Sequence, residues 1–491
     1  MIAGSFLRVI VWGVVSAALA AGALTARSAA QDAAPPLAAQ VDALFADFTT
    51  SSPGCAVGAS VDGRPIVERA YGMADLEHGV VNRPDTIFEA GSVSKQFTAA
   101  AILLLAEDGT LSLDDPVRKY VPELPAVADP ITIRHLLTHT SGLRDWGSLA
   151  GISGWPRTSR VHTHAHVVDI LSRQQSLNFA PGTRWSYSNS GYNLSAVIVD
   201  RASGMSFAEF SRTRVFGPMG MMHTSWRDDY RRIVPNRAVA YSGGGNGGYR
   251  LNMPFEQVHG NGGLLTTVGD LLRWNNRFLP SAAPANGGSS FVAAQQEPAR
   301  LADGRTLHYA YGLFVEPYRG RPEVYHSGST AGYRAFLTWF PDERVSVAVL
   351  CNGSGGNATQ LAHGTAELLL PAIDDGEGRA RPARLPEAAG PTSGLERDES
   401  WQPSSVQLAE FAGVYLSDEI ETTLTLEVRD EALVVLRRPD DEIRLRPYSA
   451  DRFQAGGGLG LVTFHRRDGR VVELGVTQDR VWDLRFTRRR E

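Results

Sequence analysis

Hydrophobic and polar residues alternate in two distant parts of the chain, and this spacing predicts β-strands. One pair of strand-like runs flanks Asp62-Gly63, a dipeptide typical of tight hairpins, and a second pair lies at residues 333–340 and 345–350. Between the two pairs, over about residues 112–275, helical spacing is interrupted by Gly and Pro. The pattern therefore predicts a sheet split between the two ends of one domain, with a mainly helical region between them.

Two further stretches have the spacing of helices. In residues 37–48 the large apolar residues fall on one helical face, which predicts an amphipathic first helix. Residues 92–106 are apolar nearly all round, and the run stops at Gly109. We therefore expect a buried helix that begins at Ser92.

The composition changes towards the C-terminus and indicates a second domain. Residues 372–404 are rich in Pro, Gly, Ala and charged residues without periodicity, as in a linker. Residues 405–491 alternate again, with a hairpin turn predicted at Asp468-Gly469, and should form a small all-β barrel or sandwich. The main domain is then expected at residues 31–371.

The first thirty residues have the pattern of an export signal. Arg8 precedes a long uncharged run, and the small residues Ser28 and Ala30 suit cleavage before Gln31. We therefore expect a signal peptide at residues 1–30 and a secreted or periplasmic protein. An uncleaved membrane anchor is the alternative, because the apolar run is long enough for one.

Composition and charge narrow the choice of class. Hydrophobic residues make up 43% of the 491-residue chain and charged residues 21%, which are ordinary values for a globular protein. The net charge of -5 argues against nucleic acid as a partner. The only cysteines, Cys55 and Cys351, lie in strand-like segments, and both a disulfide and two buried thiols remain open.

Lysine is rare in this chain, which directs attention to the two positions that keep it. Only Lys95 and Lys119 occur, so nearly all of the 48 Lys and Arg residues are Arg. Arg cannot release its proton, whereas a buried Lys can. Ser92 lies three residues before Lys95, on the same helical face, and the start of a helix favours negative charge. The pair is therefore a candidate nucleophile and base.

A second candidate segment is the polar loop that contains Tyr187 and Asn189. A tyrosine hydroxyl can transfer a proton to a leaving group, and an asparagine amide can hold a substrate carbonyl or orient Lys95. The alternative is structural, with Tyr187 packing in the core and Asn189 capping the following helix.

A third candidate segment comes directly before the predicted strand at 333–340. It contains His326, Gly328 and Ser329. Small residues here let a substrate lie against the strand edge, and the N–H of Ser329 can serve as an oxyanion donor. His326 by itself is also typical of a structural histidine.

The three segments in this order, SxxK at Ser92, YxN at Tyr187 and HxG at His326, resemble the motifs of the serine β-lactamase and penicillin-binding-protein superfamily. The Tyr-x-Asn motif resembles the class C branch. The likeness covers about residues 35–370 and includes HLLTHTSGL at 135–143.

The resemblance implies a β-lactamase/transpeptidase-like α+β fold, with an antiparallel sheet flanked by helices, and an acyl-enzyme mechanism without a cofactor. It further implies that Ser92 attacks a carbonyl, that Lys95 and Tyr187 move protons, and that the Ser92 and Ser329 amides hold the oxyanion. Asn189, His326 and Gly328 would then contact the substrate, a small molecule or a short peptide.

One departure bears on the substrate. His326-Ser327-Gly328 stands where most β-lactamases of this group have Lys-Thr-Gly, and this form resembles D-aminopeptidases, some DD-peptidases and related esterases. The predicted barrel likewise resembles the lipocalin-like barrels of D-amino-acid-specific peptidases. A peptidase for D-residue peptides or an esterase is therefore favoured over the alternative, a β-lactamase or DD-carboxypeptidase.

Two alternatives of other classes follow from the residues. His162, His164 and His166 alternate as zinc ligands on a strand would, although the helical spacing that follows them would scatter the three rings. A penicillin-binding-like sensor without turnover is the other alternative, and the presence of both Lys95 and Tyr187 argues against it. The oligomeric state has no signal in the sequence.

Overall fold

A computed structural model describes residues 35–279, 291–372 and 390–489. The predicted signal peptide at residues 1–30 lies outside the described residues, as does most of the predicted linker. None of the helices within these three ranges has the length and apolar character needed to cross a membrane.

The helices are short, apart from two that lie at the centre of the main domain. They are α1 (Leu37–Leu44), α2 (Lys95–Glu107), α3 (Ile133–Leu137), α4 (Trp146–Ile152), α5 (His164–Ser172), α6 (Asn189–Ser203), α7 (Phe207–Ser211), α8 (Val268–Asn275), α9 (Phe291–Gln295), α10 (Ala358–Glu367) and α11 (Ser405–Ala409).

The strands fall into those before and those after the predicted linker. The first group is β1 (Cys55–Val61), β2 (Arg64–Tyr71), β3 (Met73–Asp75), β4 (Val80–Val81), β5 (Phe88–Glu89), β6 (Ser225–Trp226), β7 (Tyr241–Gly243), β8 (Tyr249–Leu251), β9 (Leu264–Thr266), β10 (Phe314–Tyr318), β11 (Arg321–Thr330), β12 (Tyr333–Phe340) and β13 (Val345–Cys351). The second group is β14 (Gly413–Ser417), β15 (Thr422–Arg429), β16 (Ala432–Arg437), β17 (Asp441–Ser449), β18 (Arg452–Ala455), β19 (Gly460–Arg467), β20 (Arg470–Gln478) and β21 (Val481–Arg488).

The main sheet is antiparallel and joins the two ends of the first domain. Its six strands run in the order β10-β11-β12-β13-β1-β2, so that β13 pairs with β1 across most of the domain's length. The predicted split sheet and the α+β fold class are therefore confirmed.

The two faces of this sheet are buried against different helices. On β1, Val57 and Ala59 pack in one cluster with α1 and α10, whereas Ala56 belongs to the larger cluster on the other side. Gly58 also faces that other side, where a Cβ would meet side chains of α8 at 3.1 Å. The alternation seen in the sequence therefore reflects a sheet covered on both faces.

The two cysteines form a disulfide. Cys55 and Cys351 are directly opposite each other in the β1–β13 register, and their sulfurs are bonded. The bond links β1 and β13, which are neighbours in the sheet although the two cysteines are 296 positions apart in the sequence. Of the two states left open by the sequence, this is the one present.

The predicted helix at 92–106 differs from the structure at its beginning. Residues Gly91–Ser94 form a 3-10 turn, and α2 starts only at Lys95. Gly91 has a left-handed φ of 52°, and a Cβ there would lie 2.6 Å from the backbone nitrogen of Ser329. The close approach of β11 thus sets the tight turn, which local periodicity does not register.

Strands β14 to β21 form a closed eight-stranded barrel in which β14 pairs back with β21. The predicted all-β barrel is confirmed. The barrel docks on the first domain through a buried ion pair between Arg144 and Glu419, 2.7 Å apart. Next to it, Asn178 accepts a hydrogen bond from the Trp482 N–H at 2.8 Å.

Candidate active site

Ser92 and Lys95 are in hydrogen-bond contact at the start of α2. Ser92 lies in the 3-10 turn, and Lys95 is the first residue of the helix. The Lys95 Nζ donates to the Ser92 Oγ at 3.1 Å. A proton can move between two groups at this distance, so the geometry suits a nucleophile and its base.

Lys95 is completely buried, and this burial controls its charge. Its Nζ also donates to the Asn189 Oδ1 at 3.0 Å and to the Asn261 carbonyl oxygen at 2.7 Å. Burial lowers the pKa of Lys95 well below its ordinary value, and the charge of Arg480 lowers it further, while Asp145 acts in the opposite direction. A lysine with a lowered pKa is more readily neutral and able to accept a proton.

Tyr187 contacts the same serine. Its hydroxyl is hydrogen-bonded to Ser92, and burial raises the pKa of Tyr187 above its ordinary value, so the phenol stays protonated. The ring packs on His139, with ring centroids 4.2 Å apart. His139 in turn accepts a hydrogen bond from the Ser188 N–H at 3.2 Å, which fixes the loop before α6.

The end of β11 forms an edge beside Ser92. Strand β10 pairs with β11 only as far as Tyr325, so the segment from His326 to Thr330 has a partner strand on one side alone. A Cβ on Gly328 would overlap the carbonyl oxygen of Ala90. Only glycine therefore lets β11 approach the turn that carries Ser92.

His326 is buried and neutral. Its Nδ1 lies 2.6 Å from the Ser327 carbonyl oxygen, which can only accept, so Nδ1 carries the proton and Nε2 faces the Tyr309 hydroxyl at 3.3 Å. Burial lowers the pKa of His326 to about 3, and the Lys95 charge contributes to the decrease. The position that carries a lysine cation in most related β-lactamases is thus uncharged in this chain.

A cavity of about 440 Å³ opens onto these residues. Its lining brings together five of the seven predicted site residues, and the other two, Lys95 and Gly328, lie directly behind the lining. The residues that line it are Gly91, Ser92, Arg157, Tyr187, Asn189, Asn261, Gly262, Phe314, His326, Ser327, Ser329, Thr330 and Arg480.

Two residues that support this arrangement were missed in the sequence. Asn261 accepts from Lys95 through its carbonyl oxygen, just before the GGLLTTVGDLLRW stretch. Asp145 accepts from the Asn189 N–H at 2.7 Å and from the Ser148 N–H at 3.0 Å, holding α6 and α4 together. The Asn261–Lys95 and Asp145–Asn189 contacts leave no local sequence signal, because each joins segments far apart in the chain.

Two arginines in the lining were also missed. Arg157 belongs to the first domain and is paired with Glu256. Arg480 comes from the turn between β20 and β21 of the barrel, and its guanidinium lies 4.9 Å from the centre of the Tyr187 ring. The barrel therefore contributes a side chain to the cavity, a contribution that no pattern in the sequence indicates.

The zinc alternative finds no support in the geometry. His164 begins α5 and contacts the backbone of His259, while His166 bonds Thr163 in a capping box, so the rings diverge. Within the described parts of the chain, only Asp75, Glu77 and His78 bring three metal-binding groups within 4.8 Å of one another.

The first domain also matches a known protein family. The family model described as Beta-lactamase matches residues 41–371, more than half of the chain. The chain belongs to the beta-lactamase family. The resemblance drawn from the three motifs is thereby confirmed.

Similar proteins with known names support the assignment of this beta-lactamase-family protein to the serine hydrolases. A penicillin-binding protein of Bacillus subtilis (strain 168) is 33% identical over 313 residues, which cover 60% of this chain and 67% of the relative. A D-aminopeptidase of Gluconobacter oxydans (strain 621H) is 31% identical over 337 residues, or 69% of this chain and 62% of the relative. A D-aminopeptidase of Brucella anthropi is 26% identical over 426 residues, or 86% and 74%. This protein is a serine hydrolase of the same superfamily, as predicted.

Solved structures show the same fold. The octameric penicillin-binding protein homologue from Pyrococcus abyssi aligns with a TM-score of 0.59 at 23% identity, covering 92% of this chain and 98% of that chain. A D-amino acid amidase from Ochrobactrum anthropi SV3 aligns with a TM-score of 0.57 at 21% identity, covering 68% of this chain and 98% of that chain.

Proposed function

We propose that this hydrolase cleaves short D-residue peptides, or related amides and esters, through an acyl-enzyme on Ser92. The observation that carries the proposal is the buried Lys95 Nζ, 3.1 Å from the Ser92 Oγ, with its pKa lowered. The substrate class is supported by the relatives named D-aminopeptidase and D-amino acid amidase.

Acylation begins with Lys95 as the base. Lys95 takes the Ser92 proton as Oγ attacks the substrate carbonyl carbon, and the carbonyl oxygen becomes an oxyanion. The protonated Tyr187 gives its proton to the leaving nitrogen or oxygen as the bond to carbon breaks, and the Lys95 ammonium returns a proton to Tyr187. Water then attacks the acyl carbon while the neutral Lys95 takes a proton from it, and the Lys95 ammonium returns that proton to the Ser92 Oγ as the bond from Oγ to carbon breaks.

The oxyanion is assigned to the backbone N–H groups of Ser92 and Ser329. Ser92 lies in the first turn of a 3-10 helix, where an N–H has no partner within the helix. Ser329 lies on the free edge of β11, close to Gly91. Two such donors at one point stabilise charge that develops in the transition state.

A β-lactamase is the less favoured alternative, because His326 is neutral where most related β-lactamases carry a lysine. A DD-carboxypeptidase is the second candidate. Arg157 and Arg480 line the cavity, and their positive charge favours a peptide that ends in a free carboxylate. A binding protein without turnover is disfavoured because Ser92, Lys95 and Tyr187 are in contact.

The test is intact-protein mass spectrometry after exposure to a fluorophosphonate, a penicillin and p-nitrophenyl acetate, followed by turnover assays on D- and L-alaninamide. We expect one adduct on Ser92, its loss in Ser92→Ala, and hydrolysis of the D-amide only. No adduct on folded protein would refute the serine mechanism. Faster turnover of the L-amide or of penicillin would refute the substrate assignment.

Export to an oxidising compartment is part of the proposal. The disulfide between Cys55 and Cys351 supports it, since such bonds are rare where thiols are kept reduced. The protein recovered from culture medium or periplasm should begin at Gln31 by N-terminal mass analysis. Recovery of the full-length chain from the membrane fraction would favour the uncleaved anchor instead.

A further inference from the structure

A second pocket, of about 160 Å³, lies where the barrel meets the first domain, and we call it the junction pocket. Helices α4 and α5 and the loop between them form one side, and the barrel forms the other side with Ile420, Glu421 and Arg438. Among the residues that the structure describes, it shares none of its lining with the cavity in front of Ser92. A cavity of about 150 Å³ is enough to hold benzene, so the junction pocket can admit a small organic molecule.

One wall of the junction pocket contains a buried histidine without a partner. His162 is 1% exposed, and among the described residues neither of its ring nitrogens makes a hydrogen bond. The carbonyl groups of Pro156 and Trp155 act to raise its pKa without reaching hydrogen-bond geometry, but burial and the charge of Arg160 outweigh them and lower that pKa to about 4. The ring is therefore neutral, with one nitrogen that donates and one that accepts. Leaving such a group unpaired costs stability, and a bound molecule can supply the missing partner.

The charges around the junction pocket are not balanced. Three arginines and two carboxylates line it. Arg173 is paired with both carboxylates, 2.5 Å from Asp169 and 3.7 Å from Glu421. Within the described parts of the chain, Arg160 and Arg438 have no ion-pair partner, and Glu421 acts on Arg438 only from beyond ion-pair distance. Two positive charges are therefore left for a ligand.

These two guanidiniums lie beside the same indole. Arg160 and Arg438 are each 5.9 Å from the centre of a Trp155 ring. Burial and then the charge of Arg160 lower the pKa of Arg438, because the two positive charges repel each other. Arg438 donates to the Ser153 carbonyl oxygen at 2.8 Å and to the Thr422 hydroxyl at 2.7 Å, which holds it in place. An anion between the two guanidiniums would remove the repulsion and accept charge-assisted hydrogen bonds.

Apolar side chains complete the wall of the junction pocket. Leu149 comes from α4, Ile170 from α5 and Ile420 from the barrel. A ligand that contacts both these side chains and the guanidiniums needs a charged end and an apolar body.

We infer that the junction pocket is a second binding site, for a small carboxylate with an apolar body about the size of a benzene ring. The carboxylate lies between Arg160 and Arg438, and the ring N–H of His162 is a further donor to the ligand. Because the pocket is built from both domains, the ligand also stabilises the docking of the barrel. The inference goes beyond the proposed function, since the site is separate from the cavity in front of Ser92.

The test is calorimetry with three probes on the unsubstituted protein. Benzoate has the charge and the apolar body, benzamide lacks the charge, and acetate lacks the body. We expect benzoate to bind more tightly than the other two. Arg160→Gln should lower its affinity by about tenfold, as for the loss of a charge-assisted hydrogen bond, without unfolding the protein, because Arg160 is exposed and unpaired among the described residues. Arg160→Lys should retain part of the affinity, because it keeps the charge and loses the planar fork.

Two matched controls locate the ligand. Arg467→Gln removes the same charge from the exposed end of β19 in the barrel, and Arg480→Gln removes it from the cavity in front of Ser92. Neither should change the affinity for benzoate. A loss of affinity confined to Arg480→Gln would place the ligand in the catalytic cavity and overturn the inference. The absence of benzoate binding, equal binding of benzamide or acetate, or an unchanged affinity in Arg160→Gln would overturn it as well. A failure of the proposed function is distinguishable, because it would appear as the absence of any Ser92 adduct.

Discussion

The cavity has two unlike sides. The motif side carries Ser92, Lys95 and Tyr187 on the first domain, where the buried Lys95 and the half-buried Tyr187 are both hydrogen-bonded to Ser92. The barrel side carries Arg480 on a turn of the second domain, and among the described residues its guanidinium has no ion-pair or hydrogen-bond partner. The difference separates two tasks, because a proton transfer needs groups held in fixed contact, whereas substrate selection needs a group that is still free to bind.

The largest effect is expected on the motif side, from Lys95→Arg. The substitution keeps a positive charge but removes a group that can be neutral, so turnover should fall by about 10²- to 10⁴-fold. Steady-state hydrolysis of p-nitrophenyl acetate measures it. Lys119→Arg is the matched control, because that lysine is exposed and paired with Asp115. A Lys95→Arg enzyme with full activity would remove the base from the mechanism.

The contact between the barrel and the first domain is expected to weaken in the Glu419→Gln variant. Arg144 is then left buried without its counter-charge, which costs about 3–5 kcal/mol of unfolding free energy for a buried pair. Urea denaturation measures the loss. Glu427→Gln, which removes an exposed partner of Arg429, should change stability by less than about 1 kcal/mol. Equal losses in the two variants would show that the buried pair does not hold the barrel.

Gly328→Ala tests the close approach of β11 to the nucleophile turn. The added Cβ overlaps the Ala90 carbonyl oxygen, so β11 must move away from Ser92, and kcat should fall on the order of tenfold to a hundredfold. Gly355→Ala is the control, since a Cβ there meets nothing within 4 Å. Unchanged kcat in Gly328→Ala would show that the position of the β11 edge is not critical.

The motif side could be predicted because its residues lie in local patterns. Strand alternation located β1, β12 and β13, and the spacing from Ser92 to Lys95 placed both on one face of a turn. The helix was predicted to begin at Ser92, but α2 begins at Lys95. The 3-10 turn before it depends on the close approach of Gly91 to Ser329, which is more than 200 positions away in the sequence. The disulfide was left open for a similar reason, because it depends on the register of β1 and β13.

The barrel side could not be predicted. Alternation in residues 405–491 identifies a barrel, but it does not say which hairpin turns towards the first domain. That orientation depends on Arg144, Asn178 and Glu419, which are single polar residues without a spacing that marks them. A group such as Arg480, whose function depends on docking between domains, therefore appears only in the structure.

The smallest expected effect is a shift in the pH dependence of the reaction, because Arg480 on the barrel side affects the pKa of Lys95 on the motif side. Lys95 must be neutral to take the Ser92 proton, so kcat/KM should rise as the pH passes the lowered Lys95 pKa and then level off. Arg480 and Arg157 both lower that pKa and Asp145 raises it, so removing the Arg480 charge should move the rise to higher pH. A pH profile of p-nitrophenyl acetate hydrolysis by Arg480→Gln measures this, with Arg467→Gln as the control. A rise that stays in place, or moves to lower pH, would mean that the Arg480 charge leaves the base untouched. A shift to higher pH would mean that an arginine of the barrel tunes the lysine that activates the serine.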